Sequence, residues 1–183
     1  LKKGEHDSKE IPFLEKGRLI FRKLVPEHVD ELKALMGNLA VMYAWEHPFS
    51  DEQVENWTQK QLSFYAQDGV GYFAAYEKSS GNFIGQAGLH RFELDNLNGF
   101  EVCYMLLPQY WHKGYATESV AIFSEYACHK LSLNVLYAQI KSNNQPSIAV
   151  AEKSGFRRQG VFSKYYNGKD MEHFLYMKEL GGI

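Results

Sequence analysis

Apolar residues recur along this chain with two periods, and the change from one to the other marks out its elements. Residues 18–25 (RLIFRKLV) alternate, with Leu19, Phe21 and Lys23 on one side, and predict a first strand that Pro26 ends. Val29, Leu32, Leu35 and Met36 then follow helical spacing over 27–36. After the aromatic-rich, irregular stretch 37–49, Ser50 and Gln53 form a capping-box pattern that opens a helix to about residue 67. Three strand-like runs follow at 70–77, 83–92 and 100–107, joined by polar turns at 79–82 and 94–99, and predict an antiparallel meander. Beyond Pro108 the pattern alternates: helix at 114–131, strand at 135–141, helix at 146–154, then strands at 156–163 and 170–178 around an Asn167-Gly168 turn. Together these elements predict an α/β (α+β) fold, a mixed and mostly antiparallel sheet flanked by helices.

Composition narrows the class. The 183 residues suit one domain able to bury roughly two thirds of its unfolded surface. The expected layout is a tail or extended lead-in over 1–17, a single domain over 18–180 and a short tail over 181–183. Net charge is −2, from 20 Lys plus Arg against 22 Asp plus Glu, which gives no general attraction to nucleic acid or to an anionic membrane. Only two cysteines are present, Cys103 and Cys128, and both read as buried free thiols. The seven histidines are scattered without metal-ligand spacing, so no metal is expected. The polar N-terminal segment has no signal-peptide core, and no apolar run has membrane-spanning length, so the expected location is cytoplasmic.

The junction LLPQYWHKGYATESV at 106–120 carries the first chemical signal. A strand ends at Pro108, and a loop with Lys113 and Gly114 runs directly into a helix. A helix start offers unpaired N–H groups and the positive end of the dipole to an anion. Gly114 permits a tight turn, Lys113 adds charge and Thr117 a hydroxyl. The segment is neither a P-loop nor a dinucleotide fingerprint, and a turning glycine alone is the plain alternative.

Tyr110-Trp111-His112-Lys113-Gly114-Tyr115-Ala116-Thr117-Glu118 resembles the acyl-CoA-binding loop of the GCN5-related N-acetyltransferases. Within that family it is most similar to the branch containing the ribosomal-protein alanine N-acetyltransferases. Trp111 takes the loop's Gln/Arg position, and His112 stands where glycine is common. The resemblance continues in order through RLIFRKL at 18–24, Phe100-Glu101-Val102-Cys103-Tyr104, Asn144-Gln145-Pro146-Ser147, Glu152-Lys153-Ser154-Gly155-Phe156 and NGKDMEHFLYMKEL at 167–180. It implies a sheet whose fourth and fifth strands splay apart to admit the pantetheine arm of acetyl-CoA.

The implied site follows residue by residue. Trp111, His112, Lys113, Gly114, Tyr115, Ala116 and Thr117 would hold the pyrophosphate. Backbone groups of Cys103, Tyr104, Met105 and Leu106 would pair with the pantetheine and polarise the thioester, and Asn144 would contact the same arm or cap its helix. Ser147 is the candidate acid for the departing sulfur. Glu101 is the candidate base, acting directly or through water, with a structural carboxylate as its alternative and His47 and His90 as lesser candidates. Cys103 lacks an activating partner and is not read as a nucleophile. Trp45, His47, Pro48 and Phe49, with Tyr165 and Tyr166 opposite, would wall the acceptor. The expected reaction is direct acetyl transfer in a ternary complex to a primary amine, a protein N-terminus being one candidate. The alternatives are a small-molecule amine, such as a polyamine or aminoglycoside, and a non-catalytic CoA-binding sensor.

Overall fold

The computed structural model describes residues 12–181. Most of the expected N-terminal tail and the last two residues of the C-terminal tail therefore lie outside the described residues. Eight strands form one sheet in the order β1-β2-β3-β4-β5-β6-β8-β7. They are β1 (Leu14–Lys16), β2 (Leu19–Lys23), β3 (Tyr72–Glu77), β4 (Phe83–Leu94), β5 (Leu97–Leu106), β6 (Val135–Lys141), β7 (Arg157–Tyr166) and β8 (Lys169–Glu179). Every neighbouring pair is antiparallel except β5 and β6. The end of the lead-in forms β1, so the strands expected to splay as fourth and fifth are β5 and β6 here.

Among the described residues four α-helices cover the sheet: α1 (Val29–Met36), α2 (Asp51–Asp68), α3 (Tyr115–Leu131) and α4 (Gln145–Lys153). Strand alternation divides the core in two. Phe73 and Ala75 join Phe21 beneath α3 and α4, where Phe123 and Ala127 are fully buried. Tyr72 and Ala74 turn to the other face and pack with Leu32, Leu35 and Met36 of α1 and Val54 of α2.

Local signals placed several boundaries. Ser50 Oγ accepts from Gln53 N–H at 3.3 Å and Gln53 Oε1 accepts from Ser50 N–H at 2.8 Å, the reciprocal capping box that starts α2. Asn167 and Gly168 have φ of 50° and 82°, matching the twist of the β7–β8 hairpin. The β4–β5 turn is shorter than expected. Leu94 pairs with Leu97, so Asn98 and Gly99 belong to β5, and the reversal falls on Asp95 at φ 49° and Asn96. Gly99 reads as a turn residue in sequence, but here a Cβ on it would lie 3.0 Å from the Tyr137 ring across the sheet. Gly88 serves another close approach: a Cβ there would lie 1.8 Å from the Gly71 carbonyl oxygen. Among the described residues no helix is long and apolar enough to cross a membrane.

Candidate active site

β5 and β6 run parallel but bridge at a single register position, Glu101 with Tyr137. Beyond it the strands diverge, so the β6-facing edge of β5 from Cys103 onward has no strand partner among the described residues. A cavity of about 460 Å³ occupies the opening. Glu101 and Cys103 line it from one face of β5, Val102 and Tyr104 from the other. Successive strand residues point to opposite faces, so the cavity passes through the sheet.

Glu101 sits where the strands begin to part. Burial raises its carboxyl above the ordinary range, while the Lys164 charge and the Gln139 N–H, which donates to it, draw it partly back. Both readings of this residue therefore have a physical basis: it bonds the neighbouring strand, and it is poised closer to neutrality than an exposed carboxylate. Cys103 is next on the same face. Burial, and then the Glu101 charge, push its thiol well up, although the Tyr72 hydroxyl bonds to it. A thiol so raised stays protonated, which is the wrong state for a nucleophile.

On the opposite face, Tyr104 and Ser147 bring their hydroxyls together, and burial raises the Tyr104 phenol. Ser147 stands in the first turn of α4, whose N-cap is Asn144. Asn144 Oδ1 accepts from Ser147 N–H at 3.3 Å, so the cap role is filled while the side-chain amino group remains as a donor on the cavity wall. Sequence reading treated Tyr104 through its backbone and missed the hydroxyl pair, because the contact joins residues on separate elements.

The anion-cradle segment follows β5 and does not itself line the cavity; α3, which it starts, contributes Val120. His112 adopts φ 58° and Gly114 φ 83°. The left-handed conformation explains why glycine suits position 112 and shows that histidine occupies it here. Gly114 caps α3 without a side chain, so the first-turn N–H groups are not satisfied by a capping side chain. The loop is braced from behind. Arg18 donates to the Lys113 carbonyl at 3.1 Å, pairs with Glu118 at 2.7 Å and stacks on Tyr115 at 4.3 Å, and the Tyr115 hydroxyl bonds to Glu77. Trp111 Nε1 donates to the Leu106 carbonyl at 2.7 Å, so one acceptor in the segment expected to meet pantetheine is already taken.

Of the residues expected to wall an acceptor, Trp45, Tyr165 and Tyr166 line the cavity. His47 instead stacks on Tyr166 at 5.9 Å and shares a 3.0 Å hydrogen bond with its hydroxyl, so it supports the wall. The 41–50 stretch is held across the mouth by Glu46, which bonds both Lys141 and Lys169; these bonds pull its carboxyl down to about 2. A smaller branch of about 160 Å³ opens toward α2 between Trp45, Trp57, Phe64, Tyr72 and His90, with Glu101 at its base. Burial lowers His90, and the Lys60 and Lys164 charges add to that.

A mixed sheet opened by two diverging strands, with a cavity in the opening and a glycine-started helix after it, is the architecture of an acyltransferase fold. The chain belongs to the GNAT acetyltransferases: the acetyltransferase (GNAT) domain profile matches residues 18–157. Uncharacterized protein YkkB of Bacillus subtilis (strain 168) is 31% identical over 110 residues, 60% of this chain and 62% of that protein, so the match spans less than two thirds of that relative. The uncharacterized N-acetyltransferase YoaA of the same strain is 26% identical over 157 residues, 85% of this chain and 88% of that protein. Among solved structures, a GNAT-family acetyltransferase from Bacillus anthracis superposes with a TM-score of 0.76 at 22% identity, covering 91% of this chain and 97% of its own. A spermidine N-acetyltransferase from Vibrio cholerae in complex with CoA and spermine gives 0.72 at 20%, covering 90% and 97%. A ribosomal-protein-S5-alanine acetyltransferase from Vibrio fischeri gives 0.71 at 22%, covering 91% and 95%. These structures share the fold with enzymes of different acceptors, so the ribosomal-protein branch is one of several that this chain resembles.

Proposed function

We propose that this protein transfers the acetyl group of acetyl-CoA directly to a primary amine held with it in a ternary complex. The observation that carries the reading is the through-sheet cavity, with the Glu101 carboxylate on one face of β5 and the Tyr104–Ser147 hydroxyl pair reached from the other. Acetyl-CoA suits the residues present. The open edge of β5 at Cys103, Tyr104 and Met105 offers backbone groups to an amide-bearing arm, and the start of α3 behind His112 and Gly114 has first-turn amides that no side chain caps, which suits an anion. Asn144 adds a side-chain donor on the same wall.

In this arrangement Glu101 takes the proton of the attacking amine, and its burial makes it a stronger base than an exposed carboxylate. The Tyr104–Ser147 pair donates to the departing sulfur, Ser147 being the hydroxyl nearer the helix start. Holding both reactants in one cavity supplies the proximity that a bimolecular reaction lacks. The names of the two Vibrio structures give a ribosomal-protein alanine and spermidine as acceptors for proteins of this fold, so the choice rests on the lining of the acceptor side.

Two measurements test the reading. Saturating acetyl-CoA should raise the melting temperature, and thiol release should accompany incubation with a suitable amine. Ser147→Ala should lower kcat while leaving acetyl-CoA affinity within about threefold. Equal melting temperatures with and without acetyl-CoA, together with no thiol release across an amine panel, would sink the proposal.

A further inference from the structure

The branch of the cavity beneath α2 is built by one helix face. Trp57, Lys60, Gln61 and Phe64 fall at i, i+3, i+4 and i+7 and line it together. Two of its polar wall groups are engaged within the protein. Trp57 Nε1 donates to Gln86 Oε1 at 3.2 Å, and Gln61 Oε1 accepts from Tyr72 N–H at 2.9 Å. Beside them lies aromatic surface: Phe64 meets His90 edge-on at 4.3 Å, and Trp57 lies 5.0 Å from Tyr72. At about 160 Å³ the branch has room for one ring-sized apolar group, since an apolar cavity of about 150 Å³ holds benzene in another protein.

The charges around this chamber are unbalanced. Glu101 is the carboxylate inside it. Glu46 is committed to Lys141 and Lys169, and Asp68 to Arg91 at 2.7 Å. Lys60 rests 5.6 Å from the Phe64 ring centre, and Lys164 lines the main cavity from β7, 5.8 Å from Phe162. Among the described residues no carboxylate ion-pairs with either lysine. Both ammonium groups nevertheless act on the site, since each adds to the depression of His90.

Resting on the acetyltransferase reading above, we propose that the acceptor is an amine bearing a carboxylate a few bonds away and an apolar or aromatic body. The amine meets Glu101, the body fills the chamber against Trp57 and Phe64, and the carboxylate answers Lys60 and Lys164. A polyamine fits poorly, because its further ammonium groups would face two cations and share one carboxylate with the reacting amine. The same chemistry belongs to a free amino acid and to a peptide N-terminus followed by acidic residues.

The test compares acceptors that differ in one charge. Phenylalanine and 2-phenylethylamine differ by the carboxylate alone, and kcat/KM should favour phenylalanine at least about tenfold. A peptide arm compares Phe-Asp with Phe-Lys N-termini, and the faster of the two favoured acceptors, amino acid or acidic peptide, names the source. In a Lys60→Glu, Lys164→Glu double variant the preference should reverse. The ratio is the readout because any effect of Lys164 on Glu101 is common to both acceptors and cancels. Equal or better turnover of 2-phenylethylamine or spermidine would overturn the inference and leave the transferase reading standing. If no amine is acetylated, the transferase reading fails, and the charge preference is read by binding. N-acetylphenylalanine should then raise the melting temperature of the CoA-saturated protein more than N-acetyl-2-phenylethylamine does, and equal shifts would overturn the inference.

Discussion

Replacing Glu101 with glutamine separates the charge of this side chain from its shape. The carboxylate accepts the Gln139 N–H, and a glutamine oxygen accepts the same bond at nearly the same volume, so the cavity should keep its form. What the variant loses is the base. Positioned base catalysis contributes about 10²- to 10⁴-fold, which is about 3–5 kcal/mol of barrier at roughly 1.36 kcal/mol per decade. We expect kcat to fall by that factor with acetyl-CoA affinity within about twofold. In the wild type, log kcat should climb with pH as Glu101 ionises, through a value raised by burial, and the variant should lack that limb. Stability should move the opposite way. A carboxyl whose folded pKa is raised contributes stability that is fully present below the unfolded value of roughly 4.3 and lost as pH rises through the folded value. Glu101→Gln should therefore melt higher than wild type at about pH 7 and show no such advantage at about pH 4. Steady-state thiol-release kinetics across pH, with thermal melts at the two ends, read both effects. A variant that keeps kcat within about threefold of wild type, or that retains the acid limb, would refute the base assignment.

Three further outcomes follow from the geometry. The Tyr65 hydroxyl accepts from Leu24 N–H at 3.1 Å and donates to the Tyr72 carbonyl, so Tyr65→Phe strands two buried backbone groups and should cost about 2–5 kcal/mol in urea unfolding; a loss under about 1 kcal/mol would count against this pairing. Gly88→Ala places a Cβ 1.8 Å from the Gly71 carbonyl oxygen, and because the obstacle is backbone the variant should lose about 3 kcal/mol or fail to fold, which denaturation and expression yield will show. Lys141 and Lys169 hold the Glu46 carboxyl down to about 2 from 4.5, so its contribution is present above the unfolded value and lost as pH falls through that window; the amide protection factors of the 41–50 loop, with intrinsic exchange divided out, should fall there in wild type and already be low at neutral pH in Glu46→Gln, and protection that does not change with pH would contradict the tether.

Much of the secondary structure was legible because it is decided within a few residues. Ser50 with Gln53 starts α2, Asn167-Gly168 turns the last hairpin, and Pro108 closes β5 just before the helix that carries Val120 and Phe123. The ordered motifs also mark the family by themselves, since Gly114, Asn144 and Ser147 sit at local positions, a helix start and a cap, that sequence alone can mark. The β4–β5 turn escaped because Gly99 is kept open by the Tyr137 ring of a distant strand, which no local pattern reports. The same limit applies to the site. Glu101 gains its raised carboxyl from burial where β5 leaves β6, Tyr104 finds Ser147 across that gap, and His47 leaves the cavity wall to stack on Tyr166. Lys60 on α2 and Lys164 on β7 are far apart in sequence, and only folding brings both charges to bear on His90. Sequence determined where the chain turns, caps and alternates, since those preferences are properties of short segments. The tertiary structure decided which side chains face each other in low-dielectric space, and there burial and neighbouring charge, not residue type, set the chemistry.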